Sequence, residues 1–156
     1  MLKKLTLAAV ALTFTSAAFA QQALKPERAI QYRQAAYSFA SWNMGKIKAN
    51  VEGSNYNKAE VIAAAQAIAA VANSGMGALY IPGSDKNVGA VKTTVKPEAF
   101  AQDRQQDLAR VAIAFGKEAN ELAKVAATGD AAAVKAQFAK VGGTCKACHD
   151  DFRQKD

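Results

Sequence analysis

Two cysteines and the single histidine of the chain stand together near its C-terminus, in the run Cys145-Lys146-Ala147-Cys148-His149. This C-x-x-C-H spacing is the attachment signature of a c-type haem. Two thiols three positions apart on a helix can each add to a haem vinyl group, and the adjacent imidazole can bind the iron. The sequence therefore predicts one covalent haem c per chain, with Cys145 and Cys148 as thioether sites and His149 as axial iron ligand.

Three other uses of these residues fit the sequence less well. A structural zinc site needs four nitrogen or sulfur ligands, whereas this chain offers two cysteines and one histidine. A thioredoxin-like redox pair belongs beside a βαβ pattern, and the sequence has no strand pattern. A plain disulfide between Cys145 and Cys148 is sterically possible but gives His149 no role.

The first twenty residues have the pattern of a secretory signal peptide. Two lysines precede the apolar run 5–14, and the small-x-small sequence of residues 18–20 matches a cleavage site. The run is too short to span a bilayer, so we expect cleavage after Ala20 and no membrane anchor afterwards. Because haem c is attached after export in bacteria, the segment and the haem motif both indicate the periplasm. The mature domain is predicted to be residues 21–156.

The charge balance limits the kinds of partner. The chain has 20 basic and 13 acidic residues, a formal net charge of +7. Loss of the two lysines in the predicted signal peptide leaves 18 basic and 13 acidic residues, which gives +5. A surplus of this size favours weak attraction to an acidic periplasmic redox partner that the sequence does not identify. It does not indicate nucleic-acid binding, because no basic cluster is interleaved with aromatic residues.

The haem motif is predicted to lie on the last of four helices. Asp130 can cap this helix, directly after Gly129, which closes the helix before it. Along the helix, side chains that are apolar or belong to the motif recur every three or four positions, at Val134, Phe138, Val141, Cys145, Cys148 and Phe152.

Two helices are predicted in the first half of the mature chain. The first runs from about Pro26 to Val51, since proline suits a first helical turn. The second is capped by Asn57, with Glu60 three residues later as a variant of the capping box, and stops at Gly75. One stripe of the first helix steps by three and four positions throughout, at Ile30, Arg33, Tyr37, Ala40, Met44, Ile47 and Val51.

A third helix is predicted to open at Pro97 and Glu98, after a connection, residues 75–96, that has no helical period. The short connections between the first and second helices, and between the third and fourth, favour antiparallel neighbours. The predicted fold is all-α: an antiparallel up-down-up-down four-helix bundle with covalently bound haem c in its core.

The mature chain resembles bacterial cytochrome c′ along nearly its whole length, and that family is itself a standard example of such a bundle. Its segments follow one another in the order typical of the family. They are Lys25-Pro26-Glu27 with Tyr32-Arg33-Gln34, Tyr80-Ile81-Pro82-Gly83, Lys96-Pro97-Glu98, and Gly142-Gly143-Thr144 ahead of the haem motif.

The resemblance implies a pentacoordinate, high-spin haem iron whose distal face is blocked by a side chain of the first helix. It implies binding of nitric oxide and carbon monoxide, with electron transfer or nitric oxide handling as the physiological role. It also implies a homodimer packed through the first two helices. No enzymatic activity is expected, because a peroxidase would need a distal acid–base group and the single histidine, His149, is already assigned.

Arg33 is the first candidate for holding the haem propionates. It lies on the apolar stripe of the first helix, where an unpaired charge is costly, and guanidinium matches carboxylate in a two-pronged geometry. The alternative is a side chain that reaches outward to solvent. The resemblance places a propionate-binding arginine here, followed by a glutamine at Gln34, and brings the long connection near a propionate at Thr93 and Thr94.

The resemblance also assigns the two faces of the iron. Tyr37 falls at the distal blocking position, with Tyr80 beside the same pocket; the alternative for Tyr37 is a core aromatic residue without control over ligands. Arg153 falls at a basic position on the proximal side, where a cation disfavours a carboxylate partner for the imidazole. Its alternative is a solvated arginine favoured by the helix dipole.

Met44 supports the alternative function, a low-spin electron-transfer cytochrome in which this methionine is the sixth iron ligand. It shares the stripe with Tyr37 but lies seven residues, or about 10.5 Å, further along the helix at 1.5 Å per residue. If Tyr37 faces the iron, Met44 cannot. The family alignment favours the open sixth site.

Overall fold

The computed structural model describes residues 23–154, so the predicted signal peptide lies outside the described residues. The described chain is an antiparallel four-helix bundle, as predicted. Each helix packs against the next in the chain, and the first also contacts the fourth. The helices are α1 (Pro26–Glu52), α2 (Lys58–Asn73), α3 (Gln105–Thr128) and α4 (Ala131–Phe152). None of the helices within residues 23–154 is long and apolar enough to cross a membrane.

The predicted starts of α2 and α4 and the predicted end of α3 are confirmed. The side chain of Asn57 accepts the backbone N–H of Glu60 at 3.1 Å, which satisfies one of the donors that a helix start leaves open. Asp130 accepts the N–H groups of Ala132 and Ala133 at 2.9 and 3.1 Å. Gly129 ends α3 with φ +83°, a left-handed conformation that glycine adopts without strain.

The start of the third helix differs from the prediction. Pro97–Phe100 forms a single 3-10 turn, a second such turn follows at Gln102–Arg104, and α3 begins only at Gln105. Ala101 between the two turns has extended backbone angles. The first turn buries Ala99 completely against Phe152 of α4. Pro97 and Glu98 favour a helix start locally, but burial of this turn against α4 prevents one continuous helix from Pro97 onward.

The apolar interior has two parts. The bundle core draws buried residues from all four helices, chiefly Ile47, Val61, Ile68, Leu122, Val134 and Val141. A smaller group, which we term the end cluster, lies where the C-terminal end of α4 meets the long connection. It consists of Ala99, Val111 and Phe152 with Tyr80, Val95, Phe100, Leu108 and Cys148 packed against them.

Candidate haem site

The two cysteines of the motif lie on α4 between the two parts of the interior. Cys145 packs against the bundle core and Cys148 against the end cluster. Both are half-buried and are not joined to each other by a disulfide. Burial is the main cause that raises the pKa of each thiol, and the nearby Cys145 and Asp151 raise that of Cys148 further. Both cysteines therefore lie beside apolar side chains, where the apolar edge of a porphyrin could be attached to the C-x-x-C-H motif.

His149 follows on the same turn and is exposed at the surface. Partial desolvation of the ring lowers its pKa, the positive charge of Arg153 lowers it further, and Asp150 opposes both. The neutral imidazole is the form that binds a metal. Arg153 therefore acts electrostatically on the imidazole, at the place where the sequence put a proximal cation. Together, Cys145, Cys148 and His149 form a donor set that fits haem c.

Arg33 is directed inward, not toward solvent, with 2% of its surface exposed. Its guanidinium donates to the carbonyl of Leu79, and to the hydroxyl and carbonyl of Ser84 at 2.8 and 2.7 Å. Its carbon Cζ lies 4.9 Å from the ring centre of Tyr80 and 5.5 Å from that of Phe100. The guanidinium charge is therefore buried, and its hydrogen-bond partners come from the long connection.

Ser84 is a site residue that the sequence pattern did not indicate. It is fully buried, and its hydroxyl also donates to the carbonyl of Ile81 at 2.8 Å. It follows the Pro-Gly turn at residues 82–83, which marks a loop but does not reveal a buried partner for an arginine. Ser84 becomes part of the site only because the fold brings this loop against Arg33 of α1.

Tyr37 and Tyr80 meet beside Cys148. Burial is the largest cause that raises the pKa of each tyrosine, and the nearby Cys148 thiol raises both further. The contact between the two hydroxyls raises the pKa of Tyr37 and lowers that of Tyr80. The side chain of Tyr37 is partly exposed, with 39% of the residue surface accessible. Its hydroxyl group is nevertheless largely removed from water. The structure thus brings Arg33, Tyr37 and Tyr80 to the same end of α4 as the haem motif.

Each of the weaker propionate candidates, Gln34, Thr93 and Thr94, has a hydrogen-bond partner. The side-chain amide of Gln34 donates to the carbonyl of Lys92 at 2.7 Å. Thr93 is buried, and its N–H donates to the side chain of Asn87 at 3.0 Å. Thr94 is exposed, and its carbonyl accepts the N–H of Gln154 at 2.9 Å.

Met44 lies away from these aromatic residues. It is half-buried and packs against the bundle core, as Cys145 does, whereas Tyr80 and Cys148 belong to the end cluster. The separation from Tyr37 that the helical rise predicts therefore holds, since both residues are on the continuous helix α1.

Comparison with known proteins gives one consistent result. A family model described as Cytochrome C' matches residues 28–153. Cytochrome c′ of Rhodocyclus tenuis is 58% identical over 132 residues, which is 85% of this chain and 98% of that protein. Cytochrome c′ of Allochromatium vinosum is 58% identical over 146 residues, which is 94% of this chain and 92% of that protein.

Solved structures agree with the sequence relatives. A cytochrome c′ described as having a ligand-controlled dimer dissociation superposes with a TM-score of 0.81 at 60% identity, over 85% of this chain and 98% of that one. Variants of cytochrome c′ from Alcaligenes xylosoxidans with bound nitric oxide or carbon monoxide superpose with a TM-score of 0.72 at 28% and 29% identity. They cover 85% and 84% of this chain and 98% of each variant. The motif, the bundle and these likenesses together establish that the chain belongs to the cytochrome c′ family.

Proposed function

We propose that this protein is a periplasmic haem c protein with a pentacoordinate iron that binds nitric oxide and carbon monoxide. The observation that carries the proposal is the placement of Tyr37 and Tyr80 at the Cys148 end of α4, away from Met44. Family members bind one haem c per chain, and relatives that superpose on this chain hold nitric oxide or carbon monoxide. The low-spin alternative with Met44 as ligand is not favoured.

In this proposal the proximal half of the site comes entirely from α4. Cys145 and Cys148 form the thioethers, and His149 binds the iron as a neutral imidazole. Bound haem supplies an open iron position for a diatomic gas and a one-electron Fe(II)/Fe(III) couple. Arg153 keeps the imidazole pKa low and disfavours a carboxylate partner on its second nitrogen, which would otherwise make the ligand more basic.

Arg33 holds the propionate edge in this proposal. An arginine carries five N–H donors, and the bonds to Leu79 and Ser84 use three of them. The remaining donors can serve a carboxylate while the others keep the loop in place. Gln34, Thr93 and Thr94 are additional polar groups along the same edge. A carboxylate would also offset the cost of burying the guanidinium charge.

Tyr37 and Tyr80 form the distal half of the site. The bulk of Tyr37 limits access to the iron, and its hydroxyl is engaged with Tyr80. A Tyr37 hydroxyl that donates to Tyr80 would not be offered to a ligand as a hydrogen-bond donor. This arrangement favours nitric oxide and carbon monoxide, which bind well without such a donor, over dioxygen.

The test is the optical spectrum of the purified protein before and after nitric oxide or carbon monoxide is added. The proposal expects a high-spin ferrous spectrum that changes on addition of either gas. Tyr37→Ala should speed carbon monoxide association, by about tenfold for each 1.36 kcal/mol of blocking that it removes. Tyr32→Ala, at an exposed position of the same helix, is the matched control. A low-spin ferrous spectrum without gas would favour Met44 instead, and an unchanged rate in Tyr37→Ala would exclude a blocking role.

Electron transfer is a second function compatible with the same iron. The surplus of basic residues over acidic ones, 20 against 13 in the full chain, favours an acidic redox partner of the periplasm. Export by the predicted signal peptide, residues 1–20, would deliver the domain, residues 21–156, to that compartment.

We also propose that the protein forms a homodimer through α1. Phe39 and Trp42 on its outer face are 49% and 58% exposed, with ring centres 5.8 Å apart. Adjacent exposed aromatic side chains are characteristic of protein interfaces. A related cytochrome c′ undergoes dimer dissociation under ligand control.

A further inference from the structure

The C-terminal end of α4 is closed by one residue from a distant part of the chain. A helix leaves its last four carbonyls without intrahelical partners. In α4 the carbonyl of His149 accepts the N–H of Arg153 at 3.1 Å, and that of Phe152 accepts the N–H of Lys96 at 2.8 Å. The ammonium of Lys96 donates to the two carbonyls between them, those of Asp150 and Asp151, at 2.9 and 3.0 Å. Lys96 therefore satisfies three of the four terminal carbonyls.

Lys96 is itself held in place on both sides. The N–H of Gln154 donates to the carbonyl of Thr94 at 2.9 Å, and its side chain donates to the carbonyl of Val95 at 3.1 Å. Pro97 follows and starts the turn that packs against Phe152. The segment 94–96 thus lies along the end of α4 as a short antiparallel contact, with the lysine side chain folded over the helix end.

The closed turn is the one that carries the iron ligand. His149 begins the last turn of α4, and the carbonyls that Lys96 binds belong to the next three residues. A cation at a helix C-terminus is favoured by the helix dipole, and the hydrogen bonds prevent the fraying that is usual at helix ends. Movement of this turn would change the direction of the imidazole relative to Cys145 and Cys148.

We propose that Lys96 is a positioning residue for the haem motif: it holds the last turn of α4 so that the His149 imidazole keeps a fixed orientation toward the iron. The inference rests on the proposed role of His149 as ligand. It assigns Lys96, the last residue of the connection 75–96, a part in the proximal side of the haem site.

The experiment compares Lys96→Met with Lys92→Met and Lys96→Arg in the haem-containing protein. The methionine at position 96 keeps the length of the side chain but removes the charge and the donors. Lys92 is an exposed lysine of the same connection and serves as control, while arginine at position 96 restores cation and donors. Two readouts are used: amide hydrogen exchange in the last turn of α4, and the iron–histidine stretching band of the ferrous protein by resonance Raman spectroscopy.

Lys96→Met is expected to speed amide exchange in the last turn by roughly tenfold and to shift or broaden the iron–histidine band, since terminal hydrogen bonds with a charged donor are lost. Lys92→Met should change neither readout, and Lys96→Arg should restore both. Should Lys96→Met fail to fold, Lys96→Gln, which keeps a neutral donor, is measured in its place.

Faster exchange with an unmoved iron–histidine band would reduce Lys96 to a stabilising contact and overturn the proposal. Unchanged exchange would show that the hydrogen bonds do not restrain the turn, which also overturns it. The exchange readout does not depend on how the iron is ligated. Failure of the proposed function is recognised separately, by the absence of a histidine-ligated high-spin spectrum in the unsubstituted protein.

Discussion

At the scale of single residues, the interior contains few polar groups, and nearly all have partners. Arg33 is surrounded by two carbonyls, a hydroxyl and two aromatic rings. Within residues 23–154, the hydroxyl of Tyr56 is the one buried side-chain nitrogen or oxygen without a hydrogen-bond partner. A buried polar group of that kind costs about 1–3 kcal/mol.

Tyr56→Phe should therefore raise the free energy of unfolding by between 0 and about 1 kcal/mol. The change removes the unpaired hydroxyl, while the ring keeps its packing against the bundle core. Urea denaturation followed by circular dichroism measures this change. Tyr32→Phe, at an exposed position, is the control and should have no effect. A loss of stability in Tyr56→Phe would mean that the hydroxyl has a partner in solution.

The tyrosines of the distal half predict a dependence of stability on pH. Burial raises the pKa of Tyr37 and of Tyr80 above the ordinary value of 10.0. Their neutral forms are favoured in the folded protein, so the stability that the two tyrosines contribute to the fold is fully present below about pH 10. As the pH rises further, the unfolded chain releases these protons while the folded chain retains them, and stability falls.

The double variant Tyr37→Phe/Tyr80→Phe should lose less stability than the unsubstituted protein between about pH 9 and pH 11. The urea midpoint measured across this range tests the difference. Tyr32→Phe should follow the unsubstituted protein, since Tyr32 is exposed. Parallel curves for the double variant and the unsubstituted protein would contradict the prediction.

At the scale of elements, the helices end where side chains replace missing backbone partners. The connection between α1 and α2 is closed by Asn50, which donates to the carbonyl of Lys46 at 3.0 Å and to the carboxylate of Glu60 at 2.9 Å. Its side-chain oxygen accepts the N–H of Asn57 at 2.7 Å. Of the capping box predicted for Asn57 and Glu60, only the bond from the Glu60 N–H to Asn57 is formed. Asn50 takes the place of the Glu60 carboxylate as acceptor of the Asn57 N–H.

Asn50→Ala should lower the free energy of unfolding by about 1–2 kcal/mol, because it removes the hydrogen bonds to the N–H of Asn57 and to the carboxylate of Glu60. The urea midpoint is the measurement, with an unchanged slope expected for a two-state transition. Asn55→Ala, at an exposed position of the same connection, should stay within about 0.5 kcal/mol of the unsubstituted protein. Equal midpoints for the two variants would rule out Asn50 as the closing residue.

At the scale of the whole molecule, the bundle core and the end cluster have different roles. The bundle core joins the helices by apolar packing, and the end cluster brings the rings of Tyr80, Phe100 and Phe152 together near Cys148. The outer face of α1 carries the exposed aromatic pair Phe39 and Trp42. This face is the surface through which we propose that two copies pair.

Trp42→Glu should shift the protein from dimer toward monomer in sedimentation equilibrium, because a charge would be buried at the centre of the proposed interface. Ile113→Glu is the matched control, since Ile113 is the most exposed of the large hydrophobic residues on α3, at 71%. It should leave the dimer unchanged. The interface lies elsewhere if Ile113→Glu dissociates the dimer and Trp42→Glu does not.

The sequence by itself determined the chemistry of the haem motif, the all-α class and most helix ends. Asn57, Gly129 and Asp130 act on neighbouring backbone groups, so their effect is local and visible in the order of residues. The haem ligands are likewise adjacent in the chain. For these features no distant part of the molecule has to be known.

The tertiary structure alone decided where the buried charge of Arg33 is satisfied, where α3 begins and what closes α4. Arg33 bonds to Ser84, 51 residues away, and Lys96 bonds to Asp150, 54 residues away. Such contacts depend on how helices and loops pack, and no local pattern contains that information. The start of α3 at Gln105 has the same cause, because burial of Ala99 against Phe152 overrides the helical tendency of Pro97 and Glu98.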